Sequence, residues 1–122
     1  MDDFARRAAL FDLYGELLTE KQRRLVSHRY QSDLSLAEIA ELEEITRAAV
    51  SESLSAATRS LERFESALGL LRRVARADAA LDKARDMSAS PIVSSGDWAE
   101  LTGHISAVID PAASDGRPSD GV

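Results

Sequence analysis

Apolar residues recur at intervals of three and four along most of this chain, the spacing that gathers them on one side of a helix. Phe4, Ala8, Phe11, Tyr14, Leu17 and Leu18 predict a first helix from about Asp3 to Leu18. Leu25, Val26 and Tyr30 give EKQRRLVSHRY, residues 20 to 30, a narrow buried stripe, and Thr19 stands before it as a cap whose hydroxyl can take an orphan amide. A third, short helix opens after Ser35 with Leu36, Ile39 and Ala40 inward, and Glu38 completes a capping box. From Val50 the apolar positions run Val50, Leu54, Ala57, Leu61, Phe64, Leu68 and Leu71, a heptad seam without a slip. The seam predicts one long helix, or two joined at Gly69, extended by Leu70, Val74 and Leu81 to about Arg85.

Beyond it the period fails. MSASPIVSSG, residues 87 to 96, carries four serines, Pro91 and Gly96 and reads as a linker. A last helix is expected over 97 to 109, capped by Asp97 with Glu100 completing the box, its stripe formed by Trp98, Leu101, Ile105, Val108 and Ile109. Residues 110 to 122 are small, polar and turn-rich and read as a disordered tail. The expected fold class is therefore all-α. It comprises a helical domain over 1 to 86 that ends in a long C-terminal helix, then the linker, the short amphipathic helix and the tail.

Residues 34 to 54, LSLAEIAELEEITRAAVSESL, have helix-turn-helix spacing. The third helix breaks near Glu43 and Glu44, and another opens after Thr46 with Ala49, Val50 and Leu54 inward. Ala40 sits where two such helices cross, and a larger side chain there would hold them apart. Ile45 plugs the turn. In DNA readers of this type the second helix enters the major groove, so Thr46, Arg47, Ala48, Ser51 and Glu52 are the candidate contacts. Only Arg47 offers the fork that reads guanine, and Glu52 would face phosphate with the wrong sign. Specific duplex recognition should be weak.

Charge changes the picture along the chain more than in sum. The net charge is −6. Yet Lys21, Arg23, Arg24 and Arg29 stand together in the second helix as a candidate phosphate-binding or partner-binding face, whereas residues 33 to 44 hold five acids and no base. Chemistry is sparse. With no cysteine and only His28 and His104, neither thiolate nor histidine metal centres are expected, and Glu41, Glu43 and Glu44 form an acidic group without ligand order. Glu62 and Glu65 fall on the outer side of the seam helix with no pocket residues beside them. No nucleophile triad or phosphate-cradling glycine loop is present, so neither catalysis nor a cofactor is expected. The MDDF start lacks the basic region and apolar run of a signal peptide, and no apolar stretch approaches the ~18 residues that cross a bilayer, so no membrane insertion and a cytoplasmic location are expected.

LFDLYGELLTEKQR at 10 to 23, SLAEIAE at 35 to 41 and ITRAAVS at 45 to 51 together resemble the YlxM-type family, small bacterial helix-turn-helix proteins. The likeness covers roughly residues 5 to 75, and the first of these pieces is not part of a generic helix-turn-helix. It implies a fold like region 4 of sigma factors. It also implies a place in the signal recognition particle pathway, with the particle's GTPase or its RNA, or both, as partner. Glu44 stands where that pattern has glycine or another small residue, Ala48 where it often has glutamine, and Glu52 is acidic. Two functions follow as expectations. One is an accessory protein of co-translational targeting, binding through the basic second helix and the helix-turn-helix. The other is a sigma-region-4-type regulator that contacts duplex DNA. The seam also predicts a homodimer, because Phe64, Leu68, Leu71 and Val74 would project beyond the cover of the first helix.

Overall fold

A computed structural model describes residues 1–109, and its regular structure is entirely helical. The chain forms two compact units, Met1–Leu68 and residues 69 onward. The first contains α1 (Asp3–Tyr14), a 3-10 turn (Gly15–Leu17), α2 (Glu20–Tyr30), α3 (Leu36–Glu43) and α4 (Arg47–Leu68). The second contains α5 (Leu70–Ala89) and α6 (Ser95–Ile109). The division falls at Gly69, not near residue 86. Gly69 adopts the left-handed conformation, φ 65°, which ends the regular ladder of α4, so the long helix is two helices.

In the first unit α1, α2 and α3 all pack on α4. Leu10, Tyr14, Leu25, Val26, Ile39, Val50 and Leu61 form the solvent-free centre. The first helix departs from its expected stripe. It tightens to 3-10 geometry at Gly15, which turns Leu17 out to solvent, while Leu18 is buried as expected and Leu10, outside the stripe, is buried as well. Gly15 is required there by crowding, since a Cβ would lie 2.8 Å from the Phe11 ring.

The seam also drifts. A straight helix turns away from a strict heptad by about 20° per repeat, and after Leu61 the buried position is Glu65 rather than Phe64. Glu65 is thus core, not outer surface, and its carboxylate accepts a 2.7 Å hydrogen bond from the Tyr14 hydroxyl. Phe64 leans on the Tyr14 ring, 6.0 Å between centroids. Glu62 is likewise engaged. It receives two 2.8 Å hydrogen bonds from the Arg6 guanidinium, a fork that holds its carboxyl below the usual range.

In the second unit α6 packs along α5. Met87, expected in a linker, is the buried residue of the last α5 turns. Ser94, not Asp97, caps α6: its hydroxyl accepts from the Asp97 amide, while the Asp97 carboxylate accepts from the Ser94 amide. The helix therefore starts at Ser95 rather than Asp97, and the box residue is Asp97 rather than Glu100. Lys83 reaches both Asp97 and Glu100 at 2.9 Å, and this ammonium with the Ser94 bonds holds the Asp97 carboxyl down to about 2. The half-covered face of α6 is Asp97, Leu101, His104 and Val108, whereas Trp98, Ile105 and Ile109 lie exposed. The expected tail lies outside the described residues.

Candidate functional site

The helix-turn-helix is built as its sequence implies, with one departure at the turn. The expected box of Ser35 with Glu38 forms, and the expected Thr19 cap is closed into a further box by Gln22. At the end of α3, Glu44 takes the left-handed conformation, φ 56°, and the Ile45 amide reaches back to the Ala40 carbonyl at 3.0 Å. This is the double bond pattern that closes a helix on a residue usually glycine. Thr46 then caps α4 by accepting from the Ala49 amide at 3.0 Å. A side chain in this conformation costs ~1–2 kcal/mol, of which glycine's own flexibility returns about half. Glu44→Gly should accordingly stabilise the fold by ~0.5–1 kcal/mol, seen as a rise of a few degrees in Tm. A fall in Tm would mean that the carboxylate, not the turn, matters there.

Past the turn, Thr46 at the cap and Arg47, Ala48, Ser51 and Glu52 on the first two turns of α4 are all exposed. They form one accessible row, as the motif requires. The basic set on α2 is divided. Arg23 pairs with Glu16 at 3.1 Å, and Arg24 with Glu43 at 3.3 Å, the latter joining α2 to the end of α3. His28 shares the same Glu43 oxygen at 3.0 Å. Hydrogen bonds from Arg24 hold the Glu43 carboxyl below its ordinary range. Glu43 is therefore a tie between helices rather than part of a solvated acidic face. Lys21 is exposed, away from these ties.

Arg29 lies elsewhere, in an open groove of about 560 Å³ inside the first unit. The start of α1 contributes Asp3, Phe4 and Arg7, and the end of α2 contributes Arg29 and Tyr30. Leu36 comes from α3; Ser51, Leu54, Ser55, Thr58 and Arg59 come from α4. Phe4 and Tyr30 make a tilted ring pair 5.0 Å apart, with the Arg29 guanidinium 5.4 Å from the Phe4 ring centre. Arg7 donates to the Tyr30 hydroxyl at 3.4 Å, and that bond raises its already high pKa. Arg59 is exposed and has no ionic partner among the described residues. Three guanidinium groups and four hydroxyls thus line the groove with a single carboxylate, Asp3, and Arg29 is also paired with Asp33 at 3.6 Å.

Of the predicted contacts, Arg29 and Ser51 line this groove, while Lys21, Arg23, Arg24, Thr46, Arg47, Ala48 and Glu52 do not. Sequence reasoning missed Arg7 and Arg59. They stand fifty-two positions apart on separate helices, so no local pattern links them. The residues expected at a dimer contact fall in both units. Phe64 and Leu68 are on α4, Leu71 and Val74 on α5; Leu68 and Val74 are exposed, whereas Phe64 is half-buried on Tyr14. Among the described residues no group of three His, Asp or Glu could hold a metal ion, and no helix is long and apolar enough to cross a membrane.

Residues 1–94 match the family model UPF0122, described as "Putative helix-turn-helix protein, YlxM / p13 like". Among curated relatives, a UPF0122 protein of Thermoanaerobacter sp. (strain X514) is 49% identical over 72 residues, 59% of this chain and 62% of that one. A UPF0122 protein of Listeria innocua is 42% identical over 78 residues, covering 64% of this chain and 71% of its own. One from Symbiobacterium thermophilum is 41% identical over 97 residues, covering 74% and 90%. The chain spans less than two thirds of the length of the Thermoanaerobacter relative it matches.

Proposed function

The chain belongs to the UPF0122 family of YlxM/p13-like helix-turn-helix proteins, and from that premise we propose that it is a non-catalytic regulatory protein of the signal recognition particle pathway. It binds the particle's RNA, its GTPase, or the two together, through the face of the helix-turn-helix unit that carries the groove. The observation behind this reading is the concentration of Arg7, Arg29 and Arg59 around one opening in a protein of net charge −6. Such local excess attracts a polyanion even where the whole molecule is acidic, because fields at the contact are set within a Debye length of about 8 Å.

A sigma-region-4-type regulator of duplex DNA is the second reading, supported by the motif itself. It asks the exposed α4 row to read base edges, and Ala48, Ser51 and Glu52 supply no arginine, lysine, asparagine or glutamine for that work. The two readings separate by affinity capture of the full chain from bacterial extract, with and without ribonuclease. The targeting GTPase is followed by immunoblot and its RNA by hybridisation. Recovery of both, with the RNA lost after ribonuclease, is expected. Recovery of neither, or enrichment of one duplex sequence to nanomolar affinity from a random library, would overturn the targeting role.

A further inference from the structure

We propose that the groove between α1, α2 and α4 is a binding site for a single-stranded nucleic-acid segment, with Arg7, Arg29 and Arg59 on its phosphates and Phe4 as a platform for an unpaired base. This rests on the reading of the chain as a nucleic-acid-binding module and names where and in what form the strand is held.

Three observations converge on it. The arginines come from three different helices and line one opening whose only lining acid is Asp3, although Arg29 also pairs with Asp33 at 3.6 Å. The Ser51, Ser55 and Thr58 hydroxyls follow each other along α4 at helical spacing, a row of neutral donors and acceptors of the kind that positions a sugar-phosphate backbone. Phe4, although paired with Tyr30 and flanked by Arg29, keeps 40% of its surface open to solvent. A duplex hides its base faces, so an exposed ring beside cationic groups suits a strand whose bases are unstacked. An acidic peptide would satisfy the guanidiniums but has no use for the ring. The groove volume of about 560 Å³ lies in the ordinary range for ligand sites, ~300–1,000 Å³.

The test is fluorescence anisotropy of the full chain with end-labelled, mixed-sequence oligonucleotides of about twelve residues, within the span such sites cover. RNA, DNA of the same sequence and the RNA duplex are compared over a salt series, and polyglutamate is added as a competitor. Arg59→Gln removes an exposed groove charge, Phe4→Leu removes the ring while keeping an apolar side chain, and Arg73→Gln on α5 removes the same charge outside the groove. Circular dichroism checks that each variant is folded.

Single strands should bind more tightly than the duplex. RNA binding above DNA would identify the strand as RNA; equal binding would make the site one for either strand. Phe4→Leu should weaken the single strand by about fivefold or more, the effect of losing one stacked base. Arg59→Gln should weaken it several-fold and reduce the magnitude of the salt slope by ~0.7, the share of one phosphate contact. Arg73→Gln should do neither. If the strand binds and all three variants behave alike, the groove assignment fails while the nucleic-acid-binding reading stands. If no oligonucleotide binds at low salt, both fall. Tighter binding of the duplex, or equal displacement by polyglutamate, would also overturn the groove as a single-strand site.

Discussion

Ile39→Ala should lower stability by ~2–5 kcal/mol, enough to remove a large part of the 5–15 kcal/mol that holds a typical domain folded. Ile39 has no solvent exposure, and with Ala40 it is all that α3 buries. An eight-residue helix has almost no stability of its own. The capping box at Ser35 and Glu38 orders its first turn but cannot press it against α4. Removing the isoleucine side chain leaves a cavity under the helix-turn-helix, and the turn at Glu44 loses the helix it terminates. Urea unfolding followed by far-ultraviolet circular dichroism measures the loss. A midpoint within experimental error of the parent's would show that α3 is held by its polar ties, chiefly Arg24 to Glu43, and not by its apolar contact.

Tyr14→Phe should cost ~1.5–3 kcal/mol, the range for a hydrogen bond to a carboxylate. The ring stays, and with it the contact to Phe64, so the change isolates the hydroxyl that donates 2.7 Å to Glu65. Both residues are buried, Tyr14 at 1% and Glu65 at 5% exposure. Water therefore cannot readily replace the missing donor, which is why the effect should exceed that of an exposed pair, typically below ~1 kcal/mol. The same urea titration reads it. An unchanged midpoint would mean that the carboxylate's remaining contacts satisfy it without the tyrosine.

Much of this molecule is legible residue by residue, and the exceptions have identifiable causes. Thr19, Ser35 and Thr46 cap the helices that follow them, because a hydroxyl three residues before an amide acts over a range the sequence itself displays. The core positions Val50, Leu54, Ala57 and Leu61 are where the seam places them. Beyond Leu61 the seam misleads. A heptad read from letters assumes a strict seven-residue repeat, and the buried side of α4 instead drifts to Glu65 after Leu61. Asp97 passes for a cap because aspartate is good at both roles; Ser94 takes the cap and Asp97 the box. Leu17 has the right spacing for the core, but the tightening of the chain at Gly15 breaks the period before it.

What the sequence determined by itself is the set of local elements: helical periodicity, the caps of α2, α3 and α4, and the break near Glu43 and Glu44 with Ala40 and Ile45 around it. These depend on residues a few positions apart. Only the tertiary structure decided which charges act together. Arg23 and Arg24 look like one basic face with Arg29, yet Glu16, before the turn into α2, and Glu43, at the end of α3, occupy the first two. Arg29 also has a partner, Asp33, one helical turn on, but it joins Arg7 and Arg59 along one groove, a grouping drawn from three helices. Electrostatic character depends on distance through space, and in a helical bundle the neighbours of a side chain are set by how helices cross, which no stretch of sequence spells out.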